Sequence, residues 1–169
     1  TGAKVTPDEV AGQVFLPGRQ GSLHVEMLAA TRRHGKVAYV LEPVLDHLLH
    51  EIADGTPVIT LENQGPPLIP QWHYSVAVGF DLDRAEIKRH TGTSQARREP
   101  LVVFDYFWAK ARRWAMVLLP APAGPSMAMI SLRSISGWDR YSPPRHRVTE
   151  KCQHFVLDVL CASVPLWFN

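Results

Sequence analysis

The chain has 169 residues, 46% of them hydrophobic and 20% charged, with a formal net charge of +2. That length suits one domain with its own core, the organised apolar runs exclude a disordered chain, and so small a charge gives no electrostatic ground for nucleic-acid binding. No run approaches the roughly 18 apolar residues of a membrane-spanning helix. The chain opens at Thr1 with neither an initiator methionine nor a charged-then-apolar leader, and an upstream segment is expected to have been removed.

Thr6-Pro7-Asp8-Glu9 marks a helix start. Thr6 can cap, Pro7 has no amide hydrogen to leave unpaired, and Glu9 can close a capping box. This helix is expected to reach about Phe15, before Pro17-Gly18. A second follows from Ser22, with Leu23, Met27, Leu28 and Ala30 on one face and Gly35 as its stop. Val37 to Leu41 reads as a strand. Val44, Leu45, Leu48, Leu49 and Ile52 then predict an amphipathic helix closed by Gly55.

The pattern then turns to strands: Pro57 to Glu62, Tyr74 to Phe80 and, after a turn at Asp81 to Asp83, Ala85 to His90. Phe104 to Ala111 reads as a helix and Trp114 to Leu119 as a last strand. Helices first and antiparallel strands later predict an α+β fold. From Pro120 the chain becomes Pro-, Ser- and Arg-rich with weak periodicity, so the folded domain is placed at residues 1–122 and a linker and tail at 123–169.

Leu16 to Leu23 (LPGRQGSL), Glu62-Asn63-Gln64-Gly65 and Trp72-His73-Tyr74 opening an alternating strand carry a family likeness. With the helix, the Gly55-Thr-Pro-Val strand and the histidine in that order, residues from about Thr6 to Pro120 resemble the double-glycine leader (bacteriocin-processing) cysteine peptidases, a papain-like family, in their stand-alone bacterial branch. The resemblance implies a Cys–His pair with the cysteine at a helix N-terminus, where dipole and imidazolium favour the thiolate, and a glutamine at the oxyanion site. His73 matches the histidine. The cysteine and glutamine would lie before Thr1, and Gln13 and Gln20 do not replace them. The family's aspartate would fall where this chain reads Lys88-Arg89-His90-Thr91-Gly92, without a carboxylate. His90 or Thr91 is the candidate to orient His73, and Asn63 and Gln64 are candidates for the cleft lining.

The resemblance implies a peptide or protein substrate, a leader peptide among them, no cofactor, and an envelope or periplasmic location by analogy alone. A non-catalytic peptide- or protein-binding module is the alternative, since the nucleophile is missing. Without the cysteine-bearing helix the helical lobe is expected to expose apolar surface.

Other polar groups read as ordinary. His47, His50 and Glu51 lie on a polar helix face without a third ligand, and no metal site is expected. His24 and Glu26 point to different faces. Arg84, Lys88, Arg89, Arg97 and Arg98, like Lys110, Arg112 and Arg113, read as solvated basic stretches, and Trp72, Trp108 and Trp114 as core or cleft walls. Cys152 and Cys161 read as ordinary thiols, with a disulfide between them left open for an exported protein, and neither reads as a relocated nucleophile.

Overall fold

The computed structural model describes residues 7–19, 21–92 and 94–121. The proposed tail, both cysteines and Gln20 lie outside them. The elements run α1 (Pro7–Val14), β1 (Phe15–Leu16), a short 3-10 turn, β2 (Gly21–Ser22), α2 (His24–Arg33), β3 (Lys36–Val40), α3 (Leu45–Ala53), β4 (Val58–Asn63), β5 (Trp72–Asp81), β6 (Glu86–Thr91), β7 (Ser94–Pro100), α4 (Leu101–Lys110) and β8 (Ala115–Pro120). The fold is α+β, as the order of patterns predicts. No helix among the described residues is long and apolar enough to cross a membrane.

Six strands form one antiparallel sheet in the order β3-β8-β4-β5-β6-β7, while β1 and β2 make a separate small hairpin. The β3–α3–β4 crossover leaves a one-strand gap, which β8 fills by pairing Val117 with both Tyr39 and Val58. The last strand in the chain thus lies inside the sheet. Gly55 makes the turn out of α3 possible, at a φ of 82° that L side chains resist.

Helices cover both faces. On one, Val10, Val14, Met27 and Ala30 of α1 and α2 pack on Ile59, Leu61, Tyr74, Val76, Val78 and Met116. On the other, Leu48, Ile52, Phe104 and Trp108 of α3 and α4 pack on Val58, Ala77, Ile87, Ala115 and Val117. Alternate residues of β4 and β5 therefore go to different cores, and the middle of β5 is buried without interruption. Trp108 ties this core to the turn after α4 by donating its Nε1 hydrogen to the Trp114 carbonyl at 2.9 Å.

Two departures from the sequence reading concern β7 and α4. Residues 94–100 form a strand that SQARREP does not announce, since it carries charge and proline instead of alternating apolar residues. It is an edge strand, paired only with β6, and an edge tolerates exposed charges such as Arg97 and Arg98. Helix α4 starts three residues earlier than its apolar face suggests. Val102, Val103 and Tyr106 point to solvent, so apolar periodicity does not mark its buried side.

Candidate functional site

The site forms at the open end of β4 and β5. Residues Val58, Thr60 and Glu62 of β4 stand opposite Ala77, Ser75 and His73 of β5, all on the α3/α4 face. His73 is the outermost of these and is half-buried, next to the exposed Trp72. Burial lowers the imidazole below its ordinary value of 6.5, Arg89 lowers it further, and Glu99 opposes both.

Beneath it runs a buried polar row that crosses four strands. Arg89 of β6, 3% exposed, donates from Nη1 to Glu62 Oε1 on β4 at 2.6 Å and to Ser75 Oγ on β5 at 3.2 Å. Its Nη2 donates to Glu99 Oε2 on β7 at 2.6 Å. Ser75 in turn donates to Glu62 Oε1 at 2.6 Å, and Thr60 shares a hydrogen bond with Ser75 at 2.9 Å. Glu62 is fully buried, and desolvation raises its carboxyl above the usual range even against Arg89, Ser75 and Gln64, which favour the anion. The Phe104 ring lies 6.0 Å from the guanidinium carbon and walls the row on the helix side.

The loop joining β4 to β5 is held tightly. Asn63 Oδ1 accepts from the amides of Gly65 at 3.1 Å and Gln71 at 3.0 Å, closing the loop across its base. Gln64 N adds a bond to the Gln71 carbonyl at 2.8 Å, and Lys110 Nζ of α4 donates to the Gly65 carbonyl. The loop passes so close to itself that a Cβ on Gly65 would collide with the Ile69 carbonyl oxygen and the Gln71 amide. Three prolines stiffen the span, and its tip presents Leu68, 94% exposed, and Ile69 beside Trp72.

The structure sorts the orienting candidates by face. His90 pairs with Val76 and so lies on the α1/α2 side, across the sheet from His73, where burial and Lys88 lower its imidazole. Thr91 pairs with Ser75 and shares the His73 face. Asn63 builds the loop, while Gln64 Nε2 donates to Glu62 Oε2 at 3.2 Å, one cross-strand step from His73.

Arg89 does not belong to a solvated basic face; it is buried because Glu62 and Glu99 flank it on neighbouring strands. Glu62, Ser75, Arg89 and Glu99 are the polar residues that sequence reasoning missed as a set. Thr60 and Glu62 alternating with Ile59 and Leu61 was the available signal, a carboxylate inside an otherwise apolar strand.

The remaining polar groups fall elsewhere. His47 on α3 lies 3.5 Å from Glu42, which precedes the helix, and no group of three ligating side chains that could hold a metal occurs among the described residues. Trp108 is core, Trp114 stacks on His24 at 5.3 Å, and Trp72 stands at the lip. Comparison of the chain with known protein families, with curated proteins and with solved structures finds no match.

Chemically, the site offers a half-buried imidazole whose cationic form is disfavoured, chiefly by burial and then by the Arg89 guanidinium. Its floor is a buried ionic row in which Arg89 Nε and Glu99 Oε1 make no hydrogen bond, and its rim is a preformed apolar loop. A neutral imidazole at such a position can accept a proton and return it.

Proposed function

We propose that this chain carries a papain-like cysteine-peptidase domain of the double-glycine leader-processing type, with His73 as its acid–base group. The observation that carries the reading is the placement of His73. It opens β5 at the sheet end, half-buried, between a rigid apolar lip and a buried polar floor. In this role the imidazole takes the proton of a thiol as the thiolate attacks the scissile carbonyl. It then delivers that proton to the departing amine, leaving a thioester. Water hydrolyses the thioester, the imidazole taking its proton and returning it to the thiol, so that a carboxylate and the free enzyme result. None of the described residues is a cysteine, so the thiol is supplied from outside them.

A peptide running along the sheet end would meet Leu68, Ile69 and Trp72 on one side. The same lip supports a second reading, a peptide-binding module without catalysis, because it is preformed whether or not a thiol is present. Cleavage of double-glycine peptides by the natural full-length gene product, compared with His73→Ala, tests the first reading. A loss of at least about a thousandfold is expected for a histidine that acts with a nucleophile. Absence of cleavage in both, with peptide binding retained, supports the binding module.

A further inference from the structure

The loop between β4 and β5, residues 64–71, reads QGPPLIPQ and carries no charged side chain. Its tip presents Leu68, 94% exposed, and Ile69, 65% exposed, and Trp72 at the head of β5 is 56% exposed. Single apolar side chains in water are ordinary, but three large ones within five residues of one projecting loop mark a surface with an occupant.

The backbone of the loop suits an apolar medium as well. Pro66, Pro67 and Pro70 have no amide hydrogen. Gly65 and Gln71 donate theirs to Asn63 Oδ1, Gln64 donates to the Gln71 carbonyl at 2.8 Å, and Ile69 donates to the Pro66 carbonyl at 3.1 Å. The Leu68 amide is the one donor of the loop backbone that lacks an internal acceptor among the described residues. A loop that enters hydrocarbon must carry its hydrogen bonds with it, because no water is there to replace a missing one.

Cations flank this loop. Lys110 Nζ, at the end of α4, donates to the Gly65 carbonyl and so lies against the loop base. Leu61 N donates to the Trp114 carbonyl at 3.1 Å, which brings the turn after α4 to the same end of the sheet. Arg112 is exposed in that turn. The carboxylates nearest in sequence to loop and turn, Glu62 and Asp105, are engaged by Arg89 and Arg113.

We propose that the β4–β5 loop is a membrane-docking point for an anionic bilayer. Leu68 and Ile69 enter the acyl chains, Trp72 sits at the level of the headgroups, and Lys110 and Arg112 face the lipid phosphates. The inference goes beyond the peptidase reading and does not rest on it. A bilayer fits the tip better than a peptide does. A bound peptide is covered from more than one side by a groove, whereas Leu68 has almost no protein against it and stands on a stiffened, self-bonded loop. Inserting one leucine or isoleucine side chain favours the bound state roughly ten- to a hundredfold, and one cation near an anionic surface favours it about fivefold.

The test is flotation of the full chain with vesicles of phosphatidylcholine and phosphatidylglycerol, and with phosphatidylcholine alone. Binding to the mixed vesicles is expected, weaker in high salt and weaker without the anionic lipid. Leu68→Ser/Ile69→Ser is expected to lose at least about tenfold in partition, and Arg112→Gln about fivefold. Tryptophan emission should move to the blue on adding mixed vesicles, and this shift should shrink in Trp72→Phe. A melt checks the fold of each variant. If the tip variant does not fold, quenching by brominated acyl chains decides: quenching that Trp72→Phe removes supports the proposal, and its absence overturns it. A wild type that does not float overturns the proposal, as does flotation unchanged in a folded tip variant. Weaker binding of a double-glycine peptide by the tip variant, with no flotation of the wild type, overturns it in favour of a peptide lip. Flotation needs neither substrate nor nucleophile, so its outcome is independent of the His73→Ala cleavage assay.

Discussion

Glu62 stands directly across β4 and β5 from His73, yet its carboxylate is committed to Ser75 and Arg89, each at 2.6 Å. The pairing puts a carboxyl group next to the imidazole in register while its charge is spent inside the sheet. The carboxylate that stands opposite His73 is therefore engaged by Ser75 and Arg89 inside the sheet.

Arg89→Met leaves two buried carboxylates without their cation. Breaking a buried pair in this way costs about 3–5 kcal/mol. The urea midpoint of Arg89→Met is expected to fall accordingly, while Glu62→Gln/Arg89→Gln/Glu99→Gln, which removes all three charges together, recovers most of the loss. Equal losses in the two would contradict the view that unpaired charge, and not lost packing, is what hurts.

The loop beside His73 depends on one side-chain oxygen. Asn63→Ala removes the acceptor for the amides of Gly65 and Gln71, and leaving such groups unsatisfied costs about 1–3 kcal/mol. Those two amides are expected to lose protection from hydrogen exchange while the β5–β6 ladder keeps its own. Gly65→Ala acts on the same loop by collision with the Ile69 carbonyl and should alter Trp72 fluorescence. An unchanged Trp72 signal would show that the lip is not preformed.

Two imidazoles, His73 half-buried and His90 buried, each add a contribution of definite sign to the acid side of stability. Folded His73 and His90 titrate below 6.5, chiefly because burial disfavours the cation. As pH falls below 6.5, the unfolded chain binds protons that the folded chain refuses, so stability declines until pH passes the folded values. Glu62 works in the opposite sense: its carboxyl is raised above 4.5, and stability present below 4.5 is lost as pH rises through the folded value. Urea midpoints measured from pH 8 down to pH 5 should change less favourably in the wild type than in His73→Asn/His90→Asn, in which Glu62 is unaltered and the two imidazoles are gone. Identical slopes would refute the assignment.

Arg112 and Arg113 follow α4 with φ of 57° and 52°, in the left-handed region. Arg113 is anchored there by a two-point bond to Asp105, Nε to Oδ1 at 2.9 Å and Nη2 to Oδ2 at 3.0 Å, whereas the Arg112 side chain is exposed. Arg112→Gly relieves the steric cost of about 1–2 kcal/mol but adds freedom to the unfolded chain. A net gain of roughly 0.5–1 kcal/mol is expected in thermal or urea unfolding, and a loss would mean that the arginine side chain holds the turn.

Much of the fold was legible in the sequence, because most elements bury a face whose period survives in the residue order. Met27 and Ala30 mark α2, and Leu48 and Ile52 mark α3. The strands β4, β5, β6 and β8 show as short apolar or alternating runs, and Gly35 and Gly55 mark the ends of helices. His73 at the head of β5 followed from the same pattern, since a strand start is a local property.

What only the tertiary structure decided is lateral. Residue order does not say that β8 fills the gap between β3 and β4, or that charged SQARREP pairs at the edge. Nor does it say which strand face a charge meets. His90 and Arg89 are neighbours in sequence, but period-two alternation sends them to opposite sides of the sheet. Arg89 read as one of a run of solvated bases until pairing with β5 and β7 put Ser75 and Glu99, and Glu62 one strand beyond, within its reach. Burial of a charge depends on partners that lie 10 and 27 residues away in sequence, and only strand pairing brings them together.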